Sequence, residues 1–236
     1  MPFRGLAGSL GCYPRNGMKH NPHDTRAELL RAALVCFAAH GYDGASMRMI
    51  AEEAKRPISL FSHYFGNKEG LYVAVFKWIL GHGLPGLARM SEPDTDREPR
   101  DQMEALAMLR EQIHYFYLEG VPEARAGSPE HEAAAKLMLQ EIRECRSSLH
   151  ELFFNHFSPR TKILQRCIKH LRPDLEDAKV VFLGISLLGI VVGHGLMSGM
   201  NKVIWGPAVA THSSFLASEL LVDFYLHGLL GAARQA

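Results

Sequence analysis

Apolar residues recur at spacings of three and four along most of the chain, and no stretch shows the strand–turn–strand alternation of a sheet protein. That periodicity confines the fold class to all-α. It is first clear over residues 24–40, where Leu30, Leu34, Phe37 and Ala38 form a stripe and Ala27 and Ala33 fill beside it. Asp24 or Thr25 can cap the start, and Gly41 can end the helix in a left-handed conformation. Ser46 opens a short segment over 47–54, and Lys55, Arg56 and Pro57 break it. A second short segment, Ile58–Phe65, stops at Gly66; Asn67 then caps Lys68–Leu80. Gly81, Gly83, Pro85 and Gly86 close this part. Beyond a Pro/Asp/Arg-rich loop at 91–100, the pattern predicts helices over 101–119, 129–145, 147–157, 159–171, 174–200 and 208–230.

The organisation expected is a disordered arm at 1–22, a domain at 23–82 whose three-helix core holds a helix-turn-helix, and a larger helical domain at 83–236. With 47% hydrophobic and 22% charged residues in 236, the chain has ordinary globular composition, which excludes a disordered polymer, a collagen and a small disulfide scaffold. The arm lacks an apolar run of signal-peptide length, so no signal peptide is expected, and Met18, just before the first strong pattern, makes a later start of translation one hypothesis. Cys12, Cys36, Cys145 and Cys167 include no C-x-x-C pair, so free thiols and a reducing cytoplasm are expected. His20 and His23 lie close together, but no histidine spacing suits a metal, so neither metal nor cofactor is expected. Residues 180–200 contain no Asp, Glu, Lys or Arg, long enough for a membrane span. Five glycines and His194 within them favour a core helix buried all round, for example at a subunit interface.

Charge is unevenly spread: residues 1–80 balance at +4 and the remaining 156 at −3. A basic front is a weak mark of a nucleic-acid end. Two short helices after a longer one form a helix-turn-helix pattern. In the second, Ile58, Phe61 and Phe65 share a face that can pack on Phe37, Ile50 and Ala54. Ser59, Leu60, Ser62, His63 and Tyr64 form the opposite face, rich in hydroxyls rather than Glu and Lys. Pro57 suits the first helical position, so the helix is presented N-terminus first, as a major-groove reader would be. Ser46 can offer its hydroxyl and nearby N–H groups to a phosphate, Arg48 can reach a phosphate or base edge, and Lys55 and Arg56 add charge in the turn. Lys68 stands at a helix N-terminus, which disfavours cations, so a nearby anion would rationalise it.

The runs G-Y-D-G-A-S-M-R-M-I-A-E-E-A at 41–54 and I-S-L-F-S-H-Y-F-G-N-K-E-G-L-Y at 58–72 resemble the TetR family of transcriptional regulators, and within it the CecR-like branch. The resemblance covers residues 25–80 in detail. It implies that Ser46 caps its helix and touches phosphate, that Arg48 contacts base or phosphate, and that Ser59 and Leu60 front the recognition helix. It further implies that His63 and Tyr64 bear on the sugar-phosphate backbone and that Lys68 is the phosphate lysine. The sequence departs from the family pattern at Lys55, where Gly is usual in the turn, and at Ser62, where Tyr is usual.

From the same resemblance, residues after about 86 bind a small-molecule effector and pair two subunits, without a membrane. The expected protein is a homodimer, a repressor released from a palindromic double-stranded DNA operator when effector binds. Gly189 with Gly193 and Gly195 with Gly199 leave bare helix patches, and Phe215, Leu216, Leu220, Phe224 and Leu230 offer a second apolar face; together these suit a four-helix interface. Candidate effector-pocket residues are His114, Phe116, Tyr117, Met138, Phe154, His194 and Met197, with His194 foremost because a buried imidazole needs a partner. The alternatives are a single-span membrane-attached protein and a helical enzyme. No nucleophile elbow, phosphate loop, dinucleotide fingerprint or metal-ligand spacing supports the enzyme.

Overall fold

The structure is a computed structural model that describes residues 22–81, 93–120, 128–206 and 214–231. Ten helices follow one another among the described residues: α1 (Pro22–Gly44), α2 (Met47–Glu53), α3 (Ile58–Phe65), α4 (Lys68–Leu80), α5 (Gln102–Gly120), α6 (Pro129–Glu144), α7 (Ser147–Leu171), α8 (Asp177–Leu196), α9 (Ser198–Trp205) and α10 (Ser214–Gly231). The arm, Cys12, Met18, His20 and the start of the expected 208–230 helix lie outside the described residues.

The caps are those the local sequence supplies. The Ser46 side chain accepts the Met49 N–H at 3.2 Å, and Asn67 accepts the Gly70 N–H at 2.8 Å. Pro57 takes the N-cap position of α3 rather than the first helical one, with extended backbone at φ −67°, ψ 145°. Gly41 ends the first straight run of α1 at a positive φ, as the sequence predicts; at φ 69°, ψ 175° it bends the chain, and a further helical turn runs through Gly44.

Two cores organise the molecule. The first gathers Leu30, Leu34, Phe37, Ile50, Phe61, Leu71, Tyr72 and Phe76 from α1–α4 with Ala134 and Leu137 of α6 and Leu149 of α7. The second joins Leu109 and Ile113 of α5, Ile163 to Leu171 of α7, Leu187 and Val191 of α8, and Val222 and Tyr225 of α10. The first core therefore reaches past residue 82 into α6 and α7, so α1–α4 are not packed as a separate ball.

Helix α7 is one rod where two were expected. It carries Pro159 inside it. Proline removes one backbone donor at a cost of about 3 kcal/mol in a helix interior, but here each half is held in a different core, Leu149 in the first and Ile163 in the second. The 174–200 segment also differs: α8 begins at Asp177 after an Arg172–Asp174 ion pair at 2.7 Å, and Met197 separates it from α9. Within one protomer α8 is not covered all round: 22% of residues 177–194 are buried. Phe182 and Ile185 stand 66% and 61% exposed. Cys36, Cys145 and Cys167 are free thiols, and burial pushes the Cys167 thiol up to about 11.

Candidate nucleic-acid interface

The site is built from α2, the turn after it, α3 and the first turn of α4. Three backbone bonds close the turn: Ala54 N–H to Ile50 O, Lys55 N–H to Glu52 O and Arg56 N–H to Ala51 O, at 3.0, 3.1 and 3.0 Å. Lys55 adopts φ 51°, the left-handed angle that the usual glycine would supply. The departure in sequence thus leaves the turn geometry intact and puts the strain on Lys55, whose side chain is exposed. Arg56 is anchored to Glu28 of α1 at 2.9 Å, which fixes the turn against the long helix.

On α3, Phe61 is fully buried. Ser59, Ser62 and His63 are exposed, as expected of a reading face. Three residues correct the expected division. Ile58, assigned to the inner face, is 44% exposed because it lies in the first turn, beyond the packed surface. Leu60 and Tyr64, assigned to the outer face, are half-buried against the first core. The inward arc holds Leu60, Phe61, Tyr64 and Phe65: Tyr64 and Phe65 follow Phe61 at i+3 and i+4, and Tyr64 follows Leu60 at i+4, so the four share one side of the helix. Ser62 turns its hydroxyl back onto Ile58 O at 3.4 Å.

The flanking groups have partners that DNA could replace. Arg48 pairs with Glu52 at 2.9 Å, with both side chains mostly exposed, an interaction worth about 0.3–0.5 kcal/mol and readily exchanged for a phosphate. Ser46 uses an oxygen lone pair for its cap and keeps its O–H to donate. Lys68, which the sequence left in want of an anion, has partners within the protein. Its Nζ lies 4.5 Å from the centre of the Tyr42 ring and donates to Asp43 O at 3.5 Å. Gly70 explains how α4 comes so close to α3: a Cβ there would meet Phe65 O at 2.2 Å. Nothing in the local pattern marks that glycine.

The effector candidates do not converge. His114, half-buried on α5, sits 2.8 Å from Ser218 Oγ by Nδ1 and 2.8 Å from Glu219 Oε1 by Nε2. This has the order of a nucleophile, base and orienting acid, but Ser218 is 1% exposed and out of reach of a substrate, so the set fastens α10 to α5. Phe116 and Tyr117 are buried in the second core. His194 meets Tyr117 edge-on at 6.3 Å, yet is exposed rather than buried, against the reason for choosing it. Met138 packs on the first core instead of the second, and Phe154 and Met197 are 66% and 49% exposed. An apolar groove of about 580 Å³ between α8 and α10, lined by Phe182, Leu183, Phe224, Tyr225 and Leu229, includes none of them.

Sequence reasoning also missed a polar cluster between the head and α6–α7. The Tyr72 hydroxyl donates to Glu141 Oε1 at 2.7 Å, and Arg146 bridges Glu141 and Asp43 at 2.9 and 3.0 Å. Glu141 is 1% exposed. Burial first, then the hydrogen bond to Glu141, push the Tyr72 phenol well above its ordinary range, so it remains a donor. No local signal distinguishes Glu141 from the solvated glutamates around it.

Residues 29–75 match the family model for bacterial regulatory proteins of the tetR family. The HTH-type transcriptional repressor AcnR of Corynebacterium glutamicum is 41% identical over 54 residues, covering 23% of this chain and 29% of that protein. The HTH-type transcriptional dual regulator CecR of Shigella flexneri is also 41% identical over 54 residues, covering 23% and 24%. The equal match does not single out the CecR-like branch. The chain spans less than a third of the length of either relative. Over most of its length the fold is similar to that of the transcriptional regulator FadR from Bacillus subtilis, solved in complex with stearoyl-CoA. The TM-score is 0.54 at 16% identity, covering 85% of this chain and 97% of that one.

Proposed function

We propose, for a chain that belongs to the tetR family of bacterial regulatory proteins through its N-terminal helices, that it is a ligand-responsive transcriptional repressor acting as a cytoplasmic homodimer on a palindromic operator. The observation that carries this reading is the outward face of α3: Ser59, Ser62 and His63 are exposed on a helix anchored by the buried Phe61. Hydroxyls and an imidazole can exchange hydrogen bonds with base edges in the major groove. Ser46, Arg48, Lys55, Tyr64 and Lys68 surround that face as phosphate and sugar contacts, with Leu60 at its edge. Two such helices on a two-fold axis are set about 34–36 Å apart, one turn of duplex.

The exposed apolar residues of α8 and α10 support the dimer. Val181, Phe182 and Ile185 of α8 and Leu220 and Phe224 of α10 form stripes at helical spacing, and a Cβ at Gly189, Gly193 or Gly228 would meet nothing within 4 Å. A second copy would cover these stripes. An effector preferring the conformation whose heads are wrongly spaced would weaken operator binding by linkage. FadR's complex with stearoyl-CoA supports a small-molecule effector for this fold; an apolar or aromatic ligand is the class we infer here, and the reading includes neither a catalytic role nor a membrane anchor.

The test is selection of bound sequences from random duplexes, followed by titration at fixed salt. Ser59→Ala and His63→Ala should change sequence preference. Lys68→Ala should weaken all duplexes and reduce the salt slope by about 1. Absence of any preferred sequence with the unaltered protein would overturn the reading.

A further inference from the structure

We propose that Arg146 is a positioning residue for DNA reading: through it the α6–α7 corner sets the placement of the α1–α2 corner, and so the angle at which each head meets duplex. The proposal rests on the regulator reading above and deepens it.

The corner itself is short and strained. Cys145 ends α6 in a left-handed conformation at φ 50°, ψ 55°, and Arg146 is the N-cap of α7. Two residues leave little slack between the helices. Glu141 ties them further, accepting the Arg146 backbone N–H at 3.2 Å and its Nε at 2.9 Å. The same carboxylate accepts the Tyr72 hydroxyl from α4. The far end of the guanidinium donates to Asp43 Oδ2 at 3.0 Å, and its carbon lies 4.7 Å from the centre of the Tyr42 ring.

On the head side, the groups gripped are those next to the reading elements. Tyr42 also carries Lys68 at 4.5 Å and meets Tyr72 edge-on at 4.8 Å. Asp43 precedes the α2 cap, Ser46, by three residues, and its carbonyl accepts Lys68. The Gly41 bend carries Tyr42 and Asp43 away from the line of α1. One arginine thus addresses both ends of the interface: the start of α2 through Asp43, and the start of α4 through the ring that Lys68 shares. A planar fork that pairs two carboxylates while stacking on a ring is a task for arginine, and lysine cannot reproduce it.

On the body side, α7 runs from Arg146 through the first core into the second, about 37 Å at 1.5 Å per residue. A shift of its C-terminal half, packed on α5 and α8, is delivered along one rod to Arg146. The link to Asp43 is not needed for folding: the Asp43 side chain is 83% exposed, and such pairs contribute little stability. Its effect is therefore sought in geometry. Two heads must meet two half-sites together, whereas non-specific binding tolerates a tilted head.

The experiment uses the operator selected with the unaltered full-length chain, a scrambled duplex of equal length, and the variants Asp43→Asn, Asp43→Glu and Arg146→Lys. Removing the Asp43 charge reduces repulsion of DNA, so electrostatics alone would tighten both duplexes. Positioning instead requires that Asp43→Asn and Arg146→Lys weaken the operator by about fivefold or more and leave the scrambled duplex unchanged or tighter, with the melting temperature of Asp43→Asn, which leaves the buried Arg146–Glu141 pair in place, shifted by no more than about 2 °C. Asp43→Glu should restore operator affinity. Operator binding unchanged in both Asp43→Asn and Arg146→Lys overturns the proposal, as does equal weakening of both duplexes by Arg146→Lys, which would make Arg146 a direct phosphate contact. Failure of the unaltered chain to select any sequence sinks the regulator reading, and this proposal with it, before a variant is made.

Discussion

Lys55 holds a left-handed φ of 51° that costs an L-residue about 1–2 kcal/mol and costs glycine nothing. Part of the gain from glycine is offset by its freer unfolded chain. Lys55→Gly should therefore raise stability by up to about 1 kcal/mol in urea denaturation, while removing one positive charge from the turn. Gly70 makes the opposite prediction. The space for its Cβ is occupied by the Phe65 carbonyl, a backbone group that cannot swing aside. Gly70→Ala should destabilise the chain by about 1–3 kcal/mol, and any folded fraction should read DNA poorly because the end of α3 is displaced. Both effects follow from backbone geometry and neither from a lost contact.

At the scale of elements, Glu104 binds the segment before α5 to the helix. It accepts Arg97 and Arg100 side chains, and the backbone N–H of Arg100 at 2.8 Å. The hydrogen bond from Arg100, then that from Arg97, bring its carboxyl from an ordinary 4.5 down to about 2. A depressed acid contributes stability that is present above its unfolded value and lost as the pH falls through the folded one. The stability difference between the chain and Glu104→Gln, followed by thermal melts across pH, should be constant near neutrality and shrink as pH approaches 2. A difference that grew on acidification would contradict the assignment. The helices were legible element by element where the signals are local: Ile58–Phe65 and Lys68–Leu80 are found with the bounds the sequence predicts. Helix α7 was not, because proline is a breaker by its own chemistry and only the two cores beyond it keep the rod whole.

At the scale of the whole molecule, the apolar stripes of α8 and α10 are left uncovered among the described residues. If a second copy covers them, Ile185→Asp and Phe224→Asp should each convert a dimer to a folded monomer in analytical sedimentation and abolish tight operator binding, since one head alone forfeits the second half-site. A chain that requires detergent to stay dispersed would favour the membrane-attached alternative, and a monomer in the unaltered chain would remove the proposed two-fold reader.

By itself the sequence determined the all-α class, the bounds of α3 and α4 and the helix-turn-helix segment, because periodicity, caps and breaks act within one or two turns of chain. The exposed trio on α3 was readable from residue chemistry, though the edges of its face were not: which of Ile58, Leu60 and Tyr64 is covered depends on how far the neighbouring helices extend over α3. Only the tertiary structure decided that His194 lies open, that Met138 belongs to the first core, and that Glu141 is buried under Tyr72, 69 residues away in sequence. A glutamate in a helix looks solvated until a distant phenol and guanidinium are brought to it, and no local pattern encodes that meeting.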